Sequence, residues 1–264
     1  MNYILFTLYA AATFAILNVL DKYIITSWIR KPLVYTTAAM LINSWVLLLF
    51  IFRPLTNLSL PSVIFAVLSG VLVLLGAFCY TVAVSKEEAT RVVALRQLTP
   101  AFVLLLSSIF LSEVLTGRMI FGFLFLLAGG FLVSLRNGRG RFISPVLPIV
   151  VLSSFLIAAS LILLKKALVQ LAYLDATLLA VAGSSFAALC LLLIPKNRID
   201  VRNVVRLPLR VKMLLFAASV VAVLAMLLGS LALSTGPAPI VSSLYGFQPV
   251  FLLLFAILLS RFFP

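Results

Sequence analysis

Residues 83–105 read AVSKEEATRVVALRQLTPAFVLL, and residues 232–254 read ALSTGPAPIVSSLYGFQPVFLLL. A shift of about 149 residues lays one on the other without a gap and sets Pro100 on Pro249. Ala83 meets Ala232, Ser85 meets Ser234, Ala89 meets Ala238, Val92 meets Val241 and Leu95 meets Leu244. Phe102 meets Phe251, and Leu104-Leu105 meet Leu253-Leu254. That is about nine identities over roughly 23 positions. Leucine and alanine coincide freely in apolar sequence, so the paired prolines and serines carry the weight. A weaker match sets Asp21-Lys22 beside Lys165-Lys166. The chain reads as a duplication.

The duplicated unit is composed for lipid. Of 264 residues, 64% are hydrophobic and 10% charged, with a mean hydropathy of +1.29. Soluble domains run nearer ~45–50% apolar and ~25% charged. A water-soluble fold of this size cannot bury that much apolar surface, which excludes a soluble enzyme, a nucleic-acid-binding module and a disordered chain. A transmembrane helix needs about 20 mainly apolar residues, and that ruler gives about nine spans. They run Tyr3–Leu20, Leu33–Phe52, Ser62–Val84, Val92–Ser112, Arg118–Leu135, Pro145–Leu164, Leu174–Ile194, Val211–Ser234 and Pro239–Ser260. Between them stand turn and charge residues such as Arg30-Lys31-Pro32 and Gly236-Pro237. Unbroken apolar runs exclude a closed barrel, whose strands alternate polar and apolar residues. No basic residue precedes the first run, which continues to Leu20, so Ala10-Ala11-Ala12 is not read as a signal-peptide cleavage site. The fold class is an all-α polytopic membrane protein.

A net charge of +14 follows from 20 Lys and Arg against 6 Asp and Glu. No basic run lies on a polar helix, so the charge is read as orienting the spans and touching anionic lipid rather than nucleic acid. Loops after odd-numbered spans hold about 15 Lys and Arg against 4 after even-numbered ones, with Arg96 left inside the membrane. The bias predicts an external N-terminus and a cytoplasmic loop from Pro195 to Arg210. Cys79 and Cys190 lie in apolar segments without metal or redox spacing, and the chain has no histidine. No metal or cofactor is expected.

Five spans fall in residues 1–141 and four in residues 142–264. An odd number per copy forces the copies into opposite orientations, the inverted-repeat plan of many secondary transporters. The partner of Arg118–Leu135 is missing, so a tenth helix is expected to have been lost by truncation, with a natural nine-helix variant as the alternative.

The first copy runs Ala83-Val-Ser85-Lys-Glu-Glu88-Ala-Thr-Arg91-Val, Leu95-Arg-Gln-Leu-Thr-Pro100, Phe110-Leu-Ser-Glu113, Gly122 and Ala128-Gly129-Gly130. The second runs Ala232-Leu-Ser234-Thr-Gly-Pro-Ala-Pro and Leu244-Tyr-Gly-Phe-Gln-Pro249, and Asn18-Val-Leu-Asp21-Lys22-Tyr closes the first span. With these motifs the chain resembles EamA-type members of the drug/metabolite transporter superfamily over nearly its whole length. The resemblance implies a ten-helix carrier of small metabolites, often working outward, with a cytoplasmic N-terminus. The Lys and Arg bias points the other way on orientation, and the tenth helix is absent.

Pro100 and Pro249 each remove a backbone hydrogen bond inside a span and disturb the carbonyl four residues earlier, that of Arg96 and of Tyr245. Each copy is thus expected to offer a loosened carbonyl and a long polar side chain at one level, or else a simple packing kink. Arg96 is the sharpest residue. A charge at that depth costs about 2.5–3.5 kcal/mol on insertion scales, so it faces a cavity or snorkels to the headgroups. Gln97 beside it favours the cavity, where Arg96 would suit an anionic or carboxylate-bearing substrate. Asn18, Tyr80, Tyr245 and Gln248 are further polar residues within spans, read as substrate pathway or as interhelical hydrogen bonds. Glu87, Glu88 and Arg91 stand at the turn between the third and fourth spans, and Glu113 closes the fourth. Interfacial caps compete with a gating or coupling role for Glu88, Arg91 and Glu113. Gly129-Gly130 and Gly183-Ser184-Ser185 allow close helix packing.

The leading function is a secondary active transporter of small metabolites, an exporter working by alternating access in the plasma (inner) membrane. Nothing resembles an ATP-binding loop, so gradients supply the energy. An intramembrane enzyme lacks the histidine for a Ser-His pair or a metal site. A non-transporting scaffold or inactive truncated fragment is the alternative, and a lipid-linked headgroup flippase is a variant of the carrier.

Overall fold

The computed structural model describes residues 2–52, 59–112, 117, 120–122, 124–125 and 145–262, and every regular element among them is helical. In chain order the α-helices of seven residues or more begin with α1 (Asn2–Ser27), α2 (Pro32–Asn43), α3 (Leu60–Lys86), α4 (Ala89–Leu95), α5 (Thr99–Phe110) and α6 (Leu147–Ala167). They continue with α7 (Tyr173–Leu191), α8 (Pro195–Val204), α9 (Leu209–Thr235), α10 (Ala238–Leu244) and α11 (Gln248–Phe262). Among the described residues, seven helices are long and apolar enough to cross a membrane, and Pro32–Leu48 is a shorter apolar one. The protein is an integral, multi-pass membrane protein. The fifth expected span, most of Arg118–Leu135, lies outside the described residues, as do Glu113 and Gly129-Gly130.

Helix α1 does not stop at Leu20 but runs through Ser27, which brings Asp21 and Lys22 into the bundle. Charged residues can lie at that depth because each finds a partner. The Lys22 ammonium donates to the carbonyls of Val84 (2.7 Å) and Glu87 (2.9 Å), where α3 runs out of intrahelical donors. Lys165 on α6 does the same for α9, donating to Leu233 (2.6 Å) and Gly236 (2.8 Å). Lys22 is thus a helix cap rather than a loop charge, a correction to its place in the orientation tally. Lys22→Met keeps the stem and removes the donors; with two carbonyls left without their charged donor, a loss of about 1–3 kcal/mol is expected. A fall in the unfolding temperature of the purified protein is the readout, and an unchanged temperature would refute the capping role.

Helix α3 packs along α6, α1 along α9, and α3 crosses α7. At that crossing the backbones touch: a Cβ on Gly70 would lie 1.8 Å from the Ala180 carbonyl oxygen, and one on Gly183 2.1 Å from that of Val67. With no hydrophobic drive between helices in lipid, such close approach and interhelical hydrogen bonds hold the bundle. Ser153 donates to the Gly76 carbonyl (2.8 Å), Thr36 bonds Thr81 (2.9 Å), and the Trp45 indole donates to Ser219 (3.1 Å).

The segment expected as a loop from Pro195 to Arg210 contains the short helix α8, with Pro195 in its first turn. Val201 and Val204 pack on the core. The buried Asn197 amide donates to Thr37 (3.2 Å) and to the Leu191 carbonyl (3.0 Å), and Lys31 pairs with Asp200 at 2.7 Å. A ten-residue polar helix is marginal alone, so its sequence signal is weak and tertiary contacts hold it.

Candidate functional site

A cavity of about 250 Å³ lies inside the bundle. Helices α1, α2, α3, α6, α7 and α9 line it, together with the junctions α4–α5 and α10–α11. At each junction the helix is interrupted in the same way. Helix α4 ends at Leu95, a 3₁₀ turn covers Arg96–Leu98, and α5 begins with Pro100 in its first turn. Helix α10 ends at Leu244, a 3₁₀ turn covers Tyr245–Phe247, and α11 begins with Pro249 second.

The expected loosened carbonyls are corrected by these turns. The Arg96 carbonyl accepts from the Thr99 N–H, and the Tyr245 carbonyl from the Gln248 N–H. A 3₁₀ bond supplies the donor that proline lacks, as nonpolar surroundings require. The breaks therefore present side chains, not carbonyls, to the cavity.

Asn18, Tyr80, Arg96, Gln97, Tyr245 and Gln248 all line it, as does Pro100, while Pro249 does not. The Tyr80 hydroxyl donates to Asn18 Oδ1 at 2.8 Å, and the Arg96 guanidinium stacks 4.8 Å from the Tyr80 ring centroid. Such stacking is worth about 2 kcal/mol when desolvated, which orients the cation. At the second junction, a Cβ on Gly229 would come within 2.5 Å of the Tyr245 hydroxyl. The shift that pairs Arg96 with Tyr245 also pairs Tyr80 with Gly229. One side has a large residue under a cation, the other a glycine beneath a tyrosine.

Among the lining residues not singled out from the sequence as site residues are Asp21 and Tyr35. The Tyr35 hydroxyl donates to Asp21 Oδ1. Asp21 and Arg96 are the charged side chains among the described residues lining the cavity. Asp21 follows Asn18 by three positions, so on a helix they share a face, the one signal that was present. Several polar atoms of the wall have no hydrogen-bond partner although buried: Asn18 Nδ2, Arg96 Nε, Asn43 Oδ1 and Thr99 Oγ1. Unmatched buried polar groups cost about 1–3 kcal/mol each, so these four atoms are the wall's unused hydrogen-bonding capacity.

Glu88 precedes α4 as its N-cap and is exposed, and Arg91 lies 4.0 Å from Glu87. Neither Glu88 nor Arg91 lines the cavity.

A cavity enclosed among the helices of a membrane bundle suits solute passage. The EamA-like transporter family model matches residues 1–135, just over half of the chain. The chain belongs to the EamA-like transporter family. It is thus a membrane transporter of the drug/metabolite transporter superfamily, a family of transporters rather than enzymes. A solved crystal structure superposes on this EamA-like chain with a TM-score of 0.69, covering 99% of it and 88% of the other chain at 14% identity, a likeness of fold alone. No curated protein matches the sequence. Within the EamA-like match fall Asn18, Asp21, Tyr35, Tyr80 and Arg96, the polar wall of the cavity, whereas Tyr245 and Gln248 lie beyond it.

Proposed function

We propose that the protein is a secondary carrier of small, anionic or carboxylate-bearing metabolites that works by alternating access between two inverted halves, residues 1–141 and 142–264. One observation carries the substrate class: Arg96 Nε and Asn18 Nδ2, two unpartnered donors, flank Tyr80 in the cavity. A carboxylate accepting from both would match them with charge-assisted bonds.

The inverted relation is supported by pairs of contacts that exchange halves. Lys22 meets the α3 carbonyls of Val84 and Glu87, and Lys165 meets the α9 carbonyls of Leu233 and Gly236. The acceptors are related by the shift of about 149 residues found in the sequence. The pairing of α3 with α6 becomes, on exchange, that of α9 with α1, and both are extensive. Rocking one half on the other around the two helix breaks would open the cavity to either side in turn. With no ATP-binding loop in the sequence, gradients drive the movement, outward where the substrate accumulates inside.

The test is efflux from proteoliposomes loaded with a panel of labelled anionic, neutral and cationic metabolites. Selective movement of anions is expected, and movement of cations alone would refute the reading. The chain is placed in the plasma membrane with its N-terminus outside, on the Lys and Arg bias. A reporter fused after Arg206 should then signal from the cytoplasm, and an external signal would reverse the orientation.

A further inference from the structure

We propose that Asp21 is a proton-binding site linked to the anion subsite at Arg96, so that an anionic substrate and a proton occupy the cavity together. The proposal rests on the carrier reading above. It adds the coupling ion and the residue that holds it.

The argument starts from charge balance. Tyr35 faces Asp21 from α2, Tyr80 stands nearby on α3, and Arg96 comes from the α4–α5 junction. Tyr245 lies on the second junction, and the α6, α7 and α9 residues that line the cavity carry no charge. Lys22, next in sequence to Asp21, is turned away onto the α3 carbonyls. With Asp21 ionised, the wall holds one carboxylate and one guanidinium and is neutral. An anion on Arg96 leaves the carboxylate in excess, in surroundings where an unbalanced charge is expensive. Uptake of one proton from bulk water onto the Asp21 carboxylate restores neutrality. One O–H bond forms at Asp21, one breaks in the hydronium donor, and no other reactant is needed.

The Tyr35 hydroxyl suits both protonation states. It donates to the carboxylate, and being both donor and acceptor it can accept from the protonated acid without moving. The other acids of this region do not fit the role. Glu88 is an exposed cap, Glu87 lies beside Arg91, Asp200 pairs with Lys31, and none of them lines the cavity. Linkage is reciprocal: acidification tightens anion binding by the same factor by which the anion favours the proton. Substrate and proton then travel in one direction, so outward flux of the anion needs a substrate gradient that exceeds an inward proton gradient.

The experiment is calorimetric titration of the full-length protein in lipid nanodiscs with butyrate, benzoate and 3-phenylpropanoate, at one neutral pH in buffers of different ionisation heat. The dependence of the observed heat on the buffer counts protons. The wild type is expected to take up close to one proton per anion bound. Asp21→Asn, neutral and of the same shape as the protonated acid, is expected to bind the anion about tenfold more tightly than the wild type at that pH, matching the wild type's acid limit, with no proton uptake and a flat pH profile. Tyr35→Phe retains the carboxylate but removes its donor, so uptake should persist with its pH profile displaced, which keeps the idea testable if Asp21→Asn fails to fold. No uptake by the wild type, undiminished uptake by Asp21→Asn, or a pH profile identical to wild type in folded Tyr35→Phe would overturn the proton site alone. If none of the three carboxylates binds the wild type, or Arg96→Gln binds them equally well, the anion subsite falls, and the linkage with it.

Discussion

Arg96→Gln is expected to weaken binding of an anionic substrate by about a hundredfold, or ~2.7 kcal/mol. The size follows from what the substitution removes. Glutamine keeps length and polarity but loses the charge, the stacking on Tyr80 and the free Nε donor. Hydrogen bonds to charged groups contribute about 1.5–3 kcal/mol each, and the loss of net charge leaves Asp21 unbalanced in the same cavity. Binding by titration and flux in proteoliposomes should fall together, and the unfolding temperature should fall as well, since the stacking on Tyr80 is lost and Asp21 is left without its counter-charge. Equal affinity for carboxylates would remove Arg96 from the substrate path.

The largest structural effect is expected at the α3–α7 crossing. Gly183→Leu must place its Cβ where the Val67 carbonyl oxygen is 2.1 Å away, and Gly70→Leu meets the Ala180 carbonyl oxygen at 1.8 Å. These contacts are backbone, so no rotamer change relieves them; the helices must separate. Overpacking costs about 1–3 kcal/mol where side chains can adjust, and these sites should lie at or above the top of that range. Loss of the monodisperse folded peak in size-exclusion chromatography and a large drop in unfolding temperature are the measurements. Gly122 is the control, since an added Cβ there meets nothing within 4 Å. Gly122→Ala should leave both readouts unchanged, and tolerance of leucine at Gly183 would refute the close crossing.

Much of the site could be read in advance. Arg96 stands out because an apolar span makes a lone cation conspicuous and a proline four residues on marks an interrupted helix. Tyr245 follows from the repeat, since the shift places it on Arg96. Asp21 was passed over for an equally physical reason. A hydropathy window ends a span at the first charged pair, so Asp21-Lys22 reads as a helix end at the interface. Where α1 stops depends on whether those charges find partners, and the partners come from α2 and α3, far along the chain. The same blindness hid α8, whose anchors Thr37 and Lys31 precede it by more than a hundred residues.

Lipid as the solvent, helices as the answer, and the level at which two of them break were determined by the sequence alone. In hydrocarbon every backbone group must be satisfied within its own segment, so spans and their interruptions are local properties that composition and proline positions reveal. Only the tertiary structure decided which polar groups meet. It brought Asp21 to Tyr35, turned Lys22 onto the end of α3, stacked Arg96 on Tyr80 and pressed Gly70 and Gly183 onto facing backbones. Those contacts depend on the depth and rotation of each helix, which packing against distant segments sets and no local window contains.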